Sequence, residues 1–231
     1  MHVPDGFLDA PTSVATGAVA VAGIGLALRG ARKELDDRTA PMAGLVATFV
    51  FATQMLNFPV GAGTSGHLLG GALAAILVGP WTGLLCVSVV LIVQSLLFAD
   101  GGITALGTNI TLMAIVGVLV GWLVFRGLQT VLPNRIAFVA PVAFVAALVS
   151  VPVAALAFVG LYAAGGTAPI PLDTLTTAML GWHALIGIGE AVITALVVSS
   201  VVAVRPDLVY GARRALKART LEIRTAEGAT A

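Results

Sequence analysis

Charge is scarce in this sequence: Lys, Arg, Asp and Glu together make up 10% of 231 residues, while 58% are hydrophobic. With a mean hydropathy of +1.04, that balance excludes an ordinary soluble domain and describes a polytopic membrane protein. Cysteine is nearly absent. The single thiol, Cys86, lies inside an apolar run, which excludes a disulfide framework and a cysteine metal cluster and makes it a small buried hydrophobe. No Gly-x-x-x-x-Gly-Lys-(Ser/Thr) loop occurs, so the chain cannot hydrolyse ATP by itself. It also lacks His-Glu-x-x-His and any defensible Ser/His/Asp set, so it is not expected to be an enzyme. The inverted repeat of many secondary transporters is missing too. With no basic segment before the first apolar run, no removable signal peptide is expected, and the first helix should serve as its own insertion signal.

What the sequence does contain is a series of charge-free runs. Residues 10 to 28 give a first transmembrane helix, with Pro11 near its start and Arg29 at its end. The uncharged stretch from Thr39 to Ala99 is long enough for three crossings at about 20 residues each. It is interrupted at Asn57-Phe58-Pro59 with the glycines that follow, and at Gly79-Pro80. Helices are therefore expected over 41–57, 67–79 and 81–98. A fifth is expected over 108–125, a sixth over 136–163 with possible kinks at Pro141 and Pro152, and a seventh over 176–204. The fold class is all-α, a seven-helix transmembrane domain over 1–204 followed by a basic tail over 205–231. That tail carries Tyr210, Leu216, Leu221 and Ile223 as its larger apolar residues, suited either to anchoring on the cytoplasmic leaflet or to docking on a partner.

Loops rich in Lys and Arg stay in the cytoplasm, and seven helices with the amino terminus outside place all 12 Lys and Arg on one face. Asp5, Asp9, Asp100 and Asp173 fall on the other. This segregation orients the chain with its N-terminus outside and C-terminus cytoplasmic, and it brings Met1, His2 and His67 to the outer side.

A free amino terminus followed at once by histidine is a ready chelator. The Met1 amine, the backbone nitrogen of His2 and an imidazole nitrogen can close linked five- and six-membered rings on one metal ion, and His67 could supply a fourth nitrogen. Four nitrogens in a plane suit Ni(II) or Cu(II), and sometimes Co(II), better than Zn(II), which prefers a tetrahedron. Met1 is expected to be retained because His2 is too bulky for the usual trimming. Pro4-Asp5-Gly6 is a turn that folds the terminus back on the chain, and Phe7 and Leu8 anchor it. His67 is expected at the start of the third helix, where the helix dipole keeps its ring neutral. Gln54, Asn57, Thr64, Ser65 and Asn109 are candidates for a supporting shell around these ligands. His183 and Glu190 are seven apart and share one helix face, about 10 Å apart along the axis, too far for one ion without a third group. Their expected role is structural pairing or contact with a coupling partner rather than metal ligation.

Met-His-Val-Pro-Asp-Gly-Phe at the start, Gly63-Thr64-Ser65-Gly66-His67-Leu68-Leu69-Gly70-Gly71, Phe98-Ala99-Asp100-Gly101-Gly102, Ala105-Leu106-Gly107-Thr108-Asn109 and His183 to Glu190 together resemble the CbiM/NikM family. These are the substrate-binding membrane subunits of energy-coupling-factor cobalt and nickel importers, a class of ABC transporter. The resemblance covers the chain to about residue 200. It implies that Met1, His2 and His67 hold Ni(II) or Co(II) as transported ligand, with no resident cofactor. It also implies a transmembrane coupling subunit, two ATPase subunits and a small accessory membrane protein as partners, with no nucleic acid, in the plasma membrane. The competing readings are a stand-alone proton-coupled secondary transporter using Glu190 and a membrane sensor that binds metal without moving it.

Overall fold

The computed structural model describes residues 1–37, 39–61 and 64–218, with the side chains of 58–65 outside that description. Seven apolar helical segments follow one another among the described residues. They are α1 (Ala10–Ala31), α2 (Ala40–Gln54), α3 (Gly71–Val78), α4 (Pro80–Leu97), α5 (Leu106–Val131), α6 (Ile136–Gly165) and α7 (Leu172–Val204). Five of them, α1 and α4 to α7, are long and apolar enough to cross a membrane; α2 has 15 residues and α3 only 8. The chain is a polytopic, helical membrane protein.

Local chemistry sets the ends. Asp9 caps α1, its Oδ1 accepting from Thr12 N–H at 2.9 Å, and prolines sit in the first turns of α1, α2 and α4, where no N–H is needed. α5 widens into a π-helical stretch over Ile110–Val116, next to Asn109. All eight residues of α3 are buried, so the shortest helix forms the centre of the bundle, packed by α4, α5, α6, α2 and α7. The longest pair, α6 and α7, lie along one another.

Two details differ from the sequence reading. The break after α2 contains a short antiparallel hairpin, β1 (Phe58–Gly61) with β2 (Thr64–Gly66), within an otherwise all-helical fold. The third helix also starts at Gly71 rather than at His67. Gly70 has φ +75°, outside the helical region, and the N–H groups of Leu69 and Gly70 are taken by the Glu190 carboxylate, at 2.6 and 2.9 Å. Beyond α7, the tail as far as residue 218 folds against the bundle. Val209 and Ala212 are buried there, and Gln129 Nε2 donates to Gly211 O at 2.9 Å. Arg38, Leu221, Ile223 and the rest of 219–231 lie outside the described residues.

Candidate metal centre

The first nine residues do not trail from the bundle; they run into it. Met1 and Val3 are each 2% exposed and His2 6%. The chain is held at several points. Asn109 grips the backbone of Val3 twice, its Oδ1 accepting from Val3 N–H at 2.8 Å and its Nδ2 donating to Val3 O at 3.1 Å. Gly102 N–H donates to Val3 O at 3.0 Å, and a Cβ on Gly102 would stand 2.4 Å from Asp5 N, so only glycine permits this approach. Asp5 Oδ1 accepts from the backbone and hydroxyl of Thr104. Farther along, Asp9 N–H donates to Gly165 O, Thr167 N–H donates to Phe7 O, and the Phe7 ring packs on Phe158 and Tyr162. The turn at Pro4-Asp5-Gly6 and the apolar anchor at Phe7 and Leu8 are both present.

This lacing delivers the amino terminus to His67. The Met1 amine lies 2.5 Å from His67 Nε2, and the His67 ring is fully buried. His67 Nδ1–H donates to Leu68 O at 2.7 Å, which fixes the tautomer and leaves Nε2 with a lone pair aimed at the amine. The ring's orientation therefore comes from this bond, since His67 precedes the helix it was expected to begin.

His2 stacks on His67 with ring centroids 4.3 Å apart. Its Nε2 faces Gln94 Oε1 at 3.2 Å, and with Nε2–H donating there, Nδ1 keeps its lone pair. Nδ1 stands 3.1 Å from Asp100 Oδ1, yet this buried atom makes no hydrogen bond. Two acceptors thus face each other across a space that a cation would satisfy. Burial lowers the His2 pKa more than Asp100 raises it, and the amine adds to the lowering, so the ring is neutral at neutral pH. The Met1 amine is drawn down to about 4 by burial, against the opposing pull of Asp100 and Glu190. The site is a set of neutral nitrogen donors beside one carboxylate.

Of the expected supporting residues, Asn109 holds Val3, Asn57 Nδ2 donates to Asp100 Oδ2 at 2.9 Å, and Gln54 Nε2 donates to Leu69 O at 2.7 Å. Thr64 and Ser65 lie in β2, their side chains outside the described set. Three residues were missed as site members: Asp100, Gln94 and Glu190 as the holder of the His67 segment. Asp100 and Gln94 had readable signals, one an acid in an otherwise uncharged loop and the other an amide in an apolar span. His183 and Glu190 do not pair; His183 Nδ1–H donates to Met179 O at 2.8 Å.

Residues 2–208 match the family described as the cobalt uptake substrate-specific transmembrane region, CbiM. The chain belongs to the CbiM family. Among its relatives is a protein of Haloquadratum walsbyi named as a candidate metal transport protein, 42% identical over 91% of this chain and 94% of its own length. The fused nickel transport protein of Rhodobacter capsulatus is 35% identical over 90% of this chain and 63% of its own. In the solved structure of a truncated transition metal transporter, 99% of that chain aligns with 88% of this one, at 31% identity and a TM-score of 0.81. This CbiM member is therefore a component of a metal-uptake system, not one of a known enzyme class.

Because Asn109 satisfies both backbone groups of Val3, Asn109→Ala should leave two buried polar groups unpaired and loosen the terminus. Support of this kind is worth about 10–100-fold in metal affinity. Isothermal titration with nickel and cobalt checks it; unchanged affinity would remove Asn109 from the support.

Proposed function

We propose that this chain is the substrate-capture subunit of an energy-coupling-factor importer in the plasma membrane. It takes Ni(II) or Co(II) at the Met1 amine, the His2 amide nitrogen, His2 Nδ1 and His67 Nε2. The observation that carries this reading is the convergence of the amine on His67 Nε2 at 2.5 Å, beside a buried His2 Nδ1 without a hydrogen bond. Two nitrogens on adjacent corners of a square with metal bonds of about 2.0 Å stand about 2.8 Å apart, so little movement is needed. The amine and amide of Met1-His2 close a five-membered ring, and the amide with Nδ1 a six-membered one. A planar set of four nitrogens selects the ion by geometry. Asp100 offsets the metal's charge, and Asn109, Gln94 and Glu190 hold the donors or their carriers in place.

In this reading α2 and the α3–α4 pair complete a seven-helix topology, with the amino terminus outside and the Lys/Arg-rich ends in the cytoplasm. Lacking a nucleotide site, the chain depends on a transmembrane coupling subunit and two ATPase subunits, with a small accessory membrane protein. The test is radiolabelled nickel and cobalt accumulation in proteoliposomes. The subunit alone should bind metal without concentrating it, and ATPase partners should restore uptake. Accumulation by the lone subunit driven by a proton gradient would establish a secondary transporter instead. Glu190 gives that alternative little support, because its carboxylate is occupied by the N–H groups of Leu69 and Gly70.

A further inference from the structure

At the Lys/Arg-rich end of the bundle, away from the metal centre, a cavity of about 620 Å³ opens between the last turn of α1, the first turn of α4 and the end of α5. Three cations line it: Arg29, Lys33 and Arg126. The Arg205–Asp207 ion pair uses none of them. One acid also lines the cavity, but Glu34 is occupied. Its carboxylate accepts from Trp81 N–H at 3.2 Å, Thr82 N–H at 2.7 Å and Thr82 Oγ1–H at 2.9 Å, capping the start of α4. Three cations against one acid leave the cavity cationic among the described residues.

Its other walls are aromatic. Trp81 and Trp122 line it, and the Arg126 guanidinium lies over the Trp122 ring at 5.5 Å. Tryptophan and basic residues at a helix end mark the headgroup level of a bilayer. Leu26 reaches the cavity edge at 56% exposed, and Val19, seven residues earlier on the same face of α1, is 48% exposed. Leu26 and Val19 thus give this face of α1 exposed apolar side chains running from the cavity edge towards the middle of the helix. A soluble anion would need only the cations; this face fits a molecule with an acyl chain attached.

We propose that this cavity binds the headgroup of an anionic glycerophospholipid, its phosphodiester between Arg29, Lys33 and Arg126 and an acyl chain along Leu26 and Val19. Basic pockets between helix ends are suited to such headgroups, each Lys or Arg favouring the anionic surface.

Two of the three tryptophans line the cavity, so the full chain reports on it directly once Trp182 is changed to Phe. The protein in mixed vesicles is titrated with phosphatidylglycerol brominated near the headgroup, or with the matching phosphatidylcholine. The anionic lipid should quench at about tenfold lower mole fraction, as expected for several cations acting together. Arg29→Gln/Lys33→Gln/Arg126→Gln should erase that preference. Lys33→Gln alone, at an exposed site, should reduce it a few-fold without a risk to folding. Equal quenching by both lipids would overturn the proposal. Displacement of the brominated lipid by millimolar inorganic phosphate would assign the cations to a free anion and overturn the lipid source. Loss of a co-purifying membrane partner in the triple variant, without any lipid preference in the parent, would give the cavity to a protein and also overturn it.

Discussion

His67→Ala should leave the protein folded and inserted while lowering its nickel and cobalt affinity by more than about 100-fold, because even groups that only support a ligand cost about 10–100-fold. The change removes the lone pair at Nε2 that faces the Met1 amine, and it strands the Leu68 carbonyl that Nδ1–H now satisfies. The second loss costs about 1–3 kcal/mol, small enough for a bundle of this size to absorb. His67 lies between β2 and α3, and the Leu69 and Gly70 amides stay on Glu190, so the helix entry does not depend on the ring. The measurement is isothermal titration on the purified variant, with thermal unfolding as the control for structure. Affinity within about threefold of wild type for both metals, in a protein of normal stability, would remove His67 from the centre.

Much of the bundle could be read from where charge is missing. Arg29, Thr39, Ala99, Arg126, Arg135 and Arg205 mark the ends of apolar runs, because an uncompensated ion in hydrocarbon costs too much to be placed casually. The periphery of the hairpin could not be read this way. Asn57-Phe58-Pro59 and the glycines announce a break, but composition does not say that the break pairs with itself. The start of α3 was misplaced for a related reason: the groups that end the irregular segment sit on Glu190, some 120 residues away. At the candidate centre the convergence of Met1 and His2 on His67 was legible because its chemistry is local, an amine next to a histidine. Their support was less so. The contacts of Asn109 with Val3 and of Gln94 with His2 span 106 and 92 positions, and only the packed bundle brings them together.

For the proposed chelate, burial of the terminus also removes a proton that metal would otherwise have to displace at neutral pH. An ordinary amino terminus with a pKa near 8.0 would have to lose a proton before binding a metal; here burial has drawn it to about 4. Between those values the unfolded chain holds a proton that the native one does not, so the metal-free protein should gain stability as pH rises from about 4 to about 8. Below about 4 both states are protonated and the dependence ends.

Adding one residue before Met1 should abolish high-affinity binding, although every side chain of the chain is retained. The extension turns the primary amine into an amide, removes its lone pair and shifts His2 out of chelate register. It also forces an extra residue into a pocket where Met1 is 2% exposed. A centre built from side chains alone, His2 and His67 with Asp100, would keep all its donors. The native protein should further show a proton count of one. Its amine and both imidazoles are already neutral, so only the His2 amide proton must leave, and affinity should rise about tenfold per pH unit between about pH 6 and 8. Two released protons, a rise of about hundredfold per unit, would mean that the amine is still charged before metal arrives. The decisive comparison sets a C-terminally tagged protein with native Met1 against the same protein carrying one extra residue, both verified by mass spectrometry. Equal nickel affinity and an unchanged d-d absorption spectrum in the extended form would sink the terminal chelate.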